Sequence, residues 1–246
     1  MLKRIITIVL AVILAFSLFK IGQSFYGYYA NRRVYSELES MYQESHRLNE
    51  EKQDTNNDDD EVDKFEKLKE INEDIVGWIK IPETKINYPV VQAEDNDYYL
   101  ERNFNREWNP GGAIFMDFRN TVEDLGKNTV IYGHRMRDGS MFENLKRYKS
   151  QEFANEHRYI KLDTLYDETK WKVFSVYITD TDFNYIETDF DNDEEYQDLL
   201  DEIRRRSIIE MDIDVGVENK ILTLSTCDYT FDDARLVVHA TKIDSE

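Results

Sequence analysis

From Trp78 onward the chain is written in short runs of β-branched and aromatic residues, each closed by a turn signal. The runs are Trp78–Ile81, Ile86–Gln92, Ala113–Met116, Thr129–Tyr132, Tyr159–Leu162, Trp171–Ile178, Ile221–Thr226 and Leu236–Thr241. Pro82, Pro89, Pro110-Gly111-Gly112 and Asp138-Gly139 punctuate them. Runs of this length bounded by turn residues fit strands rather than helices. Many short strands with few helices point to a mainly β fold, a barrel or a sandwich. Two helical segments interrupt the pattern: Met141–Lys149, and Glu194–Ser207, whose Tyr196, Leu199, Leu200 and Ile203 share one face.

The region before Trp78 has a different character. An apolar run, Ile5–Phe19, follows Lys3 and Arg4 and is broken at Lys20. The run could be the apolar part of a secretory signal, but no convincing small-residue cleavage site follows it, so residues 1–30 read as an uncleaved signal anchor in preference to a cleaved signal. That reading implies a single-pass protein bound to the cell membrane, with a cytoplasmic amino terminus and an extracellular folded domain. Residues 31–61 read as a juxtamembrane helix (Val34, Leu38, Met41, Tyr42, Ser45, Leu48) followed by an acidic linker, Glu50–Glu61, with no apolar residue. Val62, Phe65, Leu68, Ile71 and Ile75 then recur on one helical face, with Gly77 as the stop. They open the main folded domain, residues 62–246, which carries the candidate chemical groups.

The chain carries 51 acidic residues against 31 basic ones, a formal charge of −20. Such a polyanion lacks the basic footprint that nucleic-acid binding requires, so no nucleic-acid partner is expected. No metal is expected either, because no pair of His or Cys has ligand spacing and one cysteine cannot build a thiolate site. No cofactor motif is present.

That single cysteine, Cys227, is the candidate nucleophile. It ends the strand-like run Ile221-Leu-Thr-Leu-Ser-Thr-Cys227 and is followed by the polar Asp228-Tyr229-Thr230, so it stands at the mouth of a loop, where a sheet presents side chains to a ligand. Arg235 opens the next run. A hairpin would return it beside Cys227, where a guanidinium favours the thiolate and donates to a developing oxyanion. Of the four histidines, His46 and His157 read as surface residues and His239, alternating with Val238 and Ala240, as structural. His134 ends the run Thr129–Tyr132 through Gly133 and opens into a polar loop, a suitable place for a general acid and base.

Taken together these motifs resemble those of the sortases. Thr223-Leu-Ser-Thr-Cys227 followed by Arg235-Leu-Val-Val resembles the active-site signature, and Ile131-Tyr-Gly-His134 the catalytic-histidine segment. Val76-Gly-Trp-Ile-Lys-Ile81, Ile86-Asn-Tyr-Pro-Val-Val-Gln92, Asp95-Asn-Asp-Tyr-Tyr-Leu100, Gly112-Ala-Ile-Phe-Met-Asp-Phe-Arg119 and the helix Glu194–Ser207 are similar to the class B branch. The resemblance implies an eight-stranded β-barrel with N-terminal helices and one helix between late strands. It also implies a cysteine transpeptidase without cofactors that cleaves an Asn-Pro-x-Thr-x-like C-terminal sorting motif after Thr. The acyl group would pass to an amine of a peptidoglycan precursor, anchoring surface proteins to the cell wall. Cys227, His134 and Arg235 would be catalytic. Asn96, Tyr132, Thr181, Tyr185, Ile186, Ser225, Thr226 and Asp228 would bind the substrate. Two other readings compete: a tethered cysteine hydrolase, in which water outcompetes the amine, and a non-enzymatic surface-binding β-domain with Cys227 as core filler.

Overall fold

A computed structural model describes residues 2–53 and 63–243 of the chain. It divides into two compact units, residues 1–37 and 38–246, with the boundary between Glu37 and Leu38. The first unit consists of the early part of helix α1 (Leu2–Gln53), with Arg33 and Glu37 paired one turn apart (2.9 Å). Among the described residues no helix is long and apolar enough to cross a membrane. This corrects the expected signal anchor and, with it, the membrane localisation and the topology built on it. The apolar run Ile5–Phe19 is too short: fifteen helical residues rise about 22 Å, against a hydrocarbon core of about 30 Å.

The second unit is built on a closed barrel of eight strands. They are β1 (Ile75–Lys80), β2 (Asn87–Val91), β3 (Ile114–Met116), β4 (Asn128–Tyr132), β5 (Tyr159–Thr164), β6 (Glu168–Thr179), β7 (Ile221–Cys227) and β8 (Arg235–Ile243). All eight sequence runs form strands. Their order around the barrel is β1-β2-β3-β4-β7-β8-β6-β5, closed by β5 on β1. Two neighbour pairs are parallel, β2 with β3 and β4 with β7; the others are antiparallel. Closure leaves no unpaired edge, which removes the template for strand addition that an open sheet would offer.

The late stretch of α1 belongs to this unit. The Tyr42 ring stacks on Trp78 at 4.4 Å and 3°, and its hydroxyl donates to Asp163. Trp78 Nε1 in turn donates to Asn87 (2.6 Å), whose amide donates to Glu39 (2.6 Å). The acidic linker expected over Glu50–Glu61 overlaps α1 as far as Gln53, and its remainder lies outside the described residues.

The helical pattern from Phe65 becomes only a short helix, α2 (Glu66–Ile71). Ile75 and Gly77 belong instead to β1, so Gly77 is no helix stop. A Cβ at Gly77 would lie 2.5 Å from the Asp163 carbonyl of β5. Glycine is therefore used there for close backbone approach, beside an irregularity in the β1–β2 pairing between Ile75 and Gly77. The segment Met141–Lys149 is a 3-10 helix over Phe142–Lys149. Met141 stands outside it at φ 55, its N–H held by the Tyr88 hydroxyl (3.0 Å). A further helix, α3 (Gln151–Glu156), follows directly.

Helix α4 (Asp193–Arg206) is set by its ends and its stripe. The Asn192 side chain accepts the Glu195 N–H (3.0 Å), three acidic residues occupy the first turn and three arginines the last. This matches the helix dipole at both ends. Its buried face, Tyr196, Leu199, Leu200 and Ile203, packs with Phe174, Tyr177, Tyr185 and Val237 outside the barrel wall.

Candidate active site

Strand register brings the three candidate chemical groups together. In the parallel β4–β7 pair, Tyr132 lies opposite Ser225, and Gly133 N donates to the Ser225 carbonyl (3.2 Å). Two residues further along each strand direction stand His134 and Cys227. In the antiparallel β7–β8 pair, Cys227 lies opposite Arg235. Adjacent strands are about 4.8 Å apart, so Cys227 sits at a strand end with the His134 backbone on one side and the Arg235 backbone on the other. Gly133 permits this exit from β4, because a Cβ there would collide with Ile114 and lie 2.8 Å from the Phe142 ring.

These residues line a cavity of about 280 Å³. Seven of the eleven sequence candidates are on its walls: Asn96, Tyr132, His134, Ser225, Thr226, Cys227 and Arg235. Asp97, Leu100, Phe115 and Gly133 complete it and were not anticipated as site residues. Cys227 is half-buried and unbridged. His134 Nε2 donates to the Leu100 carbonyl (2.8 Å), which leaves Nδ1 of the neutral ring as its proton acceptor. The Arg235 guanidinium donates to the Asp233 carbonyl (2.9 Å) and the Ala234 carbonyl (3.3 Å), which holds it along its own loop. The Thr226 hydroxyl is buried and has no hydrogen-bond partner among the described residues.

The other four candidates stand behind or beyond the cavity. Tyr185 is buried, its hydroxyl 2.9 Å from Ser225 Oγ, so it backs the β7 wall. Burial pushes its phenol pKa up, with the Ser225 hydrogen bond and the Arg235 charge acting the other way. The Ile186 carbonyl accepts from Arg119 (2.7 Å). Thr181 is exposed in the loop after β6. Asp228 is turned into the protein, where Arg135 (3.0 Å) and Lys149 (2.6 Å) pair with one oxygen and Thr230 N donates to the other (3.0 Å). Burial opposes its ionisation, but the Lys149 and Thr230 hydrogen bonds hold its carboxyl below the ordinary value. Because Arg135 follows His134 and Asp228 follows Cys227, this ion pair ties the two loops that carry them.

The remaining histidines are all engaged. His239 is fully buried, with Nε2 2.7 Å from the Tyr177 hydroxyl and Nδ1 2.9 Å from Thr223 Oγ1. His46 and His157 are half-buried rather than surface residues. The His46 ring lies against Tyr42, and the His157 ring stacks on Phe153 at 3.9 Å. Among the described residues, His46, Asp163 and Glu168 bring three possible metal-ligand atoms within 4.8 Å. Tyr42 already donates to Asp163 and Lys64 pairs with Glu168, so both carboxylates are in use.

A closed mixed barrel that presents a thiol, an imidazole and a guanidinium at the ends of three adjacent strands defines a class, the β-barrel cysteine transpeptidases. The sortase domain family matches residues 79–243. Sortase B of Staphylococcus aureus is 47% identical over 178 residues, covering 72% of this chain and 73% of that protein. Sortase B of Listeria monocytogenes is 36% identical over 239 residues, covering 96% and 95%. Two solved structures, an S. aureus sortase B–substrate complex and a sortase B complexed with triglycine, superpose with a TM-score of 0.78 at 42% identity, covering 87% of this chain and 97% and 98% of those chains. The chain belongs to the sortase family, in its class B branch.

Proposed function

We propose that Cys227 is the nucleophile of a two-step transpeptidation at this cavity, with His134 as acid and base and Arg235 as oxyanion donor. The Cys227 thiolate attacks the Thr carbonyl of an Asn-Pro-x-Thr-x-like sorting motif. The C–N bond after Thr breaks, and the imidazolium form of His134 gives a proton to the departing amine. A thioester remains on Cys227. An incoming amine of a cell-wall precursor then loses a proton to neutral His134, forms the new C–N bond and releases the thiolate. Arg235 stabilises the oxyanion in both steps. Its charge is fixed, so no proton has to move to create it. The product is a surface protein joined to peptidoglycan.

The observation that carries this reading is the shared register of β4, β7 and β8 at Cys227. A thiol nucleophile splits acyl transfer into two easier steps and gives ping-pong kinetics. The substrate and triglycine complexes of the sortase B relatives support a peptide donor and an amine acceptor. Asn96, Tyr132, Ser225 and Thr226 would contact the donor peptide directly. Tyr185, Ile186, Thr181 and Asp228 would shape or border its groove from behind.

The test is mass spectrometry of products from Asn-Pro-x-Thr-x and Leu-Pro-x-Thr-Gly peptides, with and without a glycine or diaminopimelate-type amine. The expected result is an amine-joined product from the first motif that disappears in Cys227→Ala. Hydrolysed product alone at saturating amine would overturn the transpeptidase reading for this chain.

A further inference from the structure

One carboxylate outside the cavity holds two of its walls. Asp117, just past β3, is fully buried. Its oxygens accept five hydrogen bonds: Tyr132 hydroxyl (2.8 Å), Asn96 Nδ2 (3.0 Å), Arg119 Nε (2.8 Å), Arg119 Nη2 (2.9 Å) and Arg119 backbone N (3.0 Å). Its own backbone is fixed as well, since its N–H donates to the Val130 carbonyl (2.9 Å) and its carbonyl accepts from Gln92 (2.8 Å). Arg119 continues the linkage to the Ile186 carbonyl (2.7 Å) on the loop between β6 and α4. Holding the turn after β3 would need only the Arg119 bonds. The other two donors are side chains that line the cavity.

These bonds fix hydrogen-bond polarity. The Asn96 oxygen accepts the Phe118 N–H (3.1 Å), and one Nδ2 hydrogen goes to Asp117. One amide hydrogen of Asn96 is left, a donor. The Tyr132 hydrogen is spent on Asp117, which leaves the phenolic oxygen as an acceptor. Burial alone would raise the Asp117 pKa. The Arg119, Tyr132 and Asn96 hydrogen bonds outweigh it and hold the carboxyl below the ordinary value, so it stays ionised and remains an acceptor. Burial and the Asp117 charge raise the Tyr132 phenol, which keeps it protonated.

We propose that Asp117 is a positioning residue for transpeptidation, orienting Asn96 and Tyr132 so that the groove presents one N–H donor and one phenolic acceptor to an amide of the donor peptide. A peptide amide or a carboxamide side chain has the matching pair, a carbonyl for Asn96 and an N–H for Tyr132. The proposal rests on the cavity being the donor-peptide groove. In Asp117→Asn a carboxamide replaces the carboxylate, so the Tyr132 hydroxyl and the Asn96 amide lose a partner that can only accept.

Steady-state kinetics on a peptide that the wild type processes, together with the rate of Cys227 alkylation by iodoacetamide, test it. For Asp117→Asn the expected result is a rise of about tenfold in KM, the loss of about one hydrogen bond, with kcat and the alkylation rate little changed. Tyr132→Phe should add nothing further in the Asp117→Asn background, as expected for groups acting as one unit. An unchanged KM in folded Asp117→Asn, or independent multiplication of the two effects, would overturn the proposal. If Asp117→Asn does not fold, peptides N-methylated at one amide at a time are compared on wild type and Tyr132→Phe. One methylation should penalise the wild type by about tenfold and Tyr132→Phe far less; equal penalties at every position would refute the assigned polarity. Failure of the wild type to process any peptide would instead count against the transpeptidase reading itself.

Discussion

His239 makes the stability of this barrel depend on pH in a window where few other groups act. Its proton order can be derived bond by bond. Thr223 Oγ1 donates to Asn128 Oδ1 (2.6 Å), so it must accept from His239 Nδ1–H (2.9 Å). Nε2 is then the acceptor for the Tyr177 hydroxyl (2.7 Å). Protonating Nε2 would set two donors against each other inside the wall. Complete burial lowers the His239 pKa from 6.5 to about 3. The unfolded chain therefore binds a proton below pH 6.5 that the folded protein refuses until about pH 3. Stability is flat above 6.5 and falls as pH drops from 6.5 toward 3, by about 1.4 kcal/mol per pH unit. Between pH 6.5 and 4.5 the loss is on the order of 2 kcal/mol. The carboxyls with lowered pKa add their own losses, Asp63, Asp117, Asp124 and Asp228 near and below their ordinary value of 3.8 and Glu202 near and below 4.5, and both proteins compared below share them. Urea unfolding followed by tryptophan fluorescence at pH 7.5, 6.5, 5.5 and 4.5 measures the effect. His239→Gln is the control, being less stable at every pH but lacking this titration. Its slope should be shallower than wild type by about 1.4 kcal/mol per unit below pH 6.5. Equal slopes in the two proteins would refute the buried neutral imidazole.

Two further outcomes follow from packing. Gly77→Ala should destabilise the barrel by about 2 kcal/mol or more, because its Cβ would meet the Asp163 carbonyl at 2.5 Å with backbone on both sides; a thermal midpoint within a degree of wild type would show that β1 and β5 can separate there. Thr226→Val should leave the folded protein as stable or raise it by about 1 kcal/mol, since it removes a buried hydroxyl without a partner among the described residues. A clear loss of stability in chemical unfolding would mean that this hydroxyl has a partner in solution.

The strands were legible because each is a β-branched or aromatic run closed by a turn residue, and that signal is local. The cysteine, histidine and arginine were legible for a related reason: each marks the end of such a run, so chain position alone placed them near a rim. Gly77 was misread because a glycine after a helical pattern looks like a stop, whereas its cause lies in the Asp163 carbonyl of a distant strand. The role of Asp117 is not readable in its own family-like segment, since two of its partners, Asn96 and Tyr132, come from other segments. Asp228 shows the limit of adjacency. It is the residue next to Cys227, yet its side chain turns away to Arg135 and Lys149, which nothing in the local sequence signals.

Parallel pairing of β4 with β7 makes the site sensitive to register in a way a hairpin is not. The β7–β8 loop is short, so Arg235 has few other places to stand opposite Cys227. No such tether links β4 to β7, which are separated by the whole stretch from Gly133 to Lys220. A slip of one residue would turn Cys227 to the opposite face from His134. The register must be set elsewhere, and Asn128 at the far end of β4 is placed to set it. It lies opposite Ile221, its Oδ1 accepts from Thr223 (2.6 Å), and its Nδ2 donates to the carbonyls of Tyr185 (3.2 Å) and Glu187 (2.8 Å). It is fully buried, so a slip would leave its amide unsatisfied. The same amide that aligns Cys227 with His134 thus also holds the loop whose Tyr185 backs Ser225. On this account one buried asparagine at the opposite end of the strand sets the β4–β7 register, the Arg135–Asp228 pair ties the two loops at the cavity end, and that end of β4 can remain a glycine and an open loop.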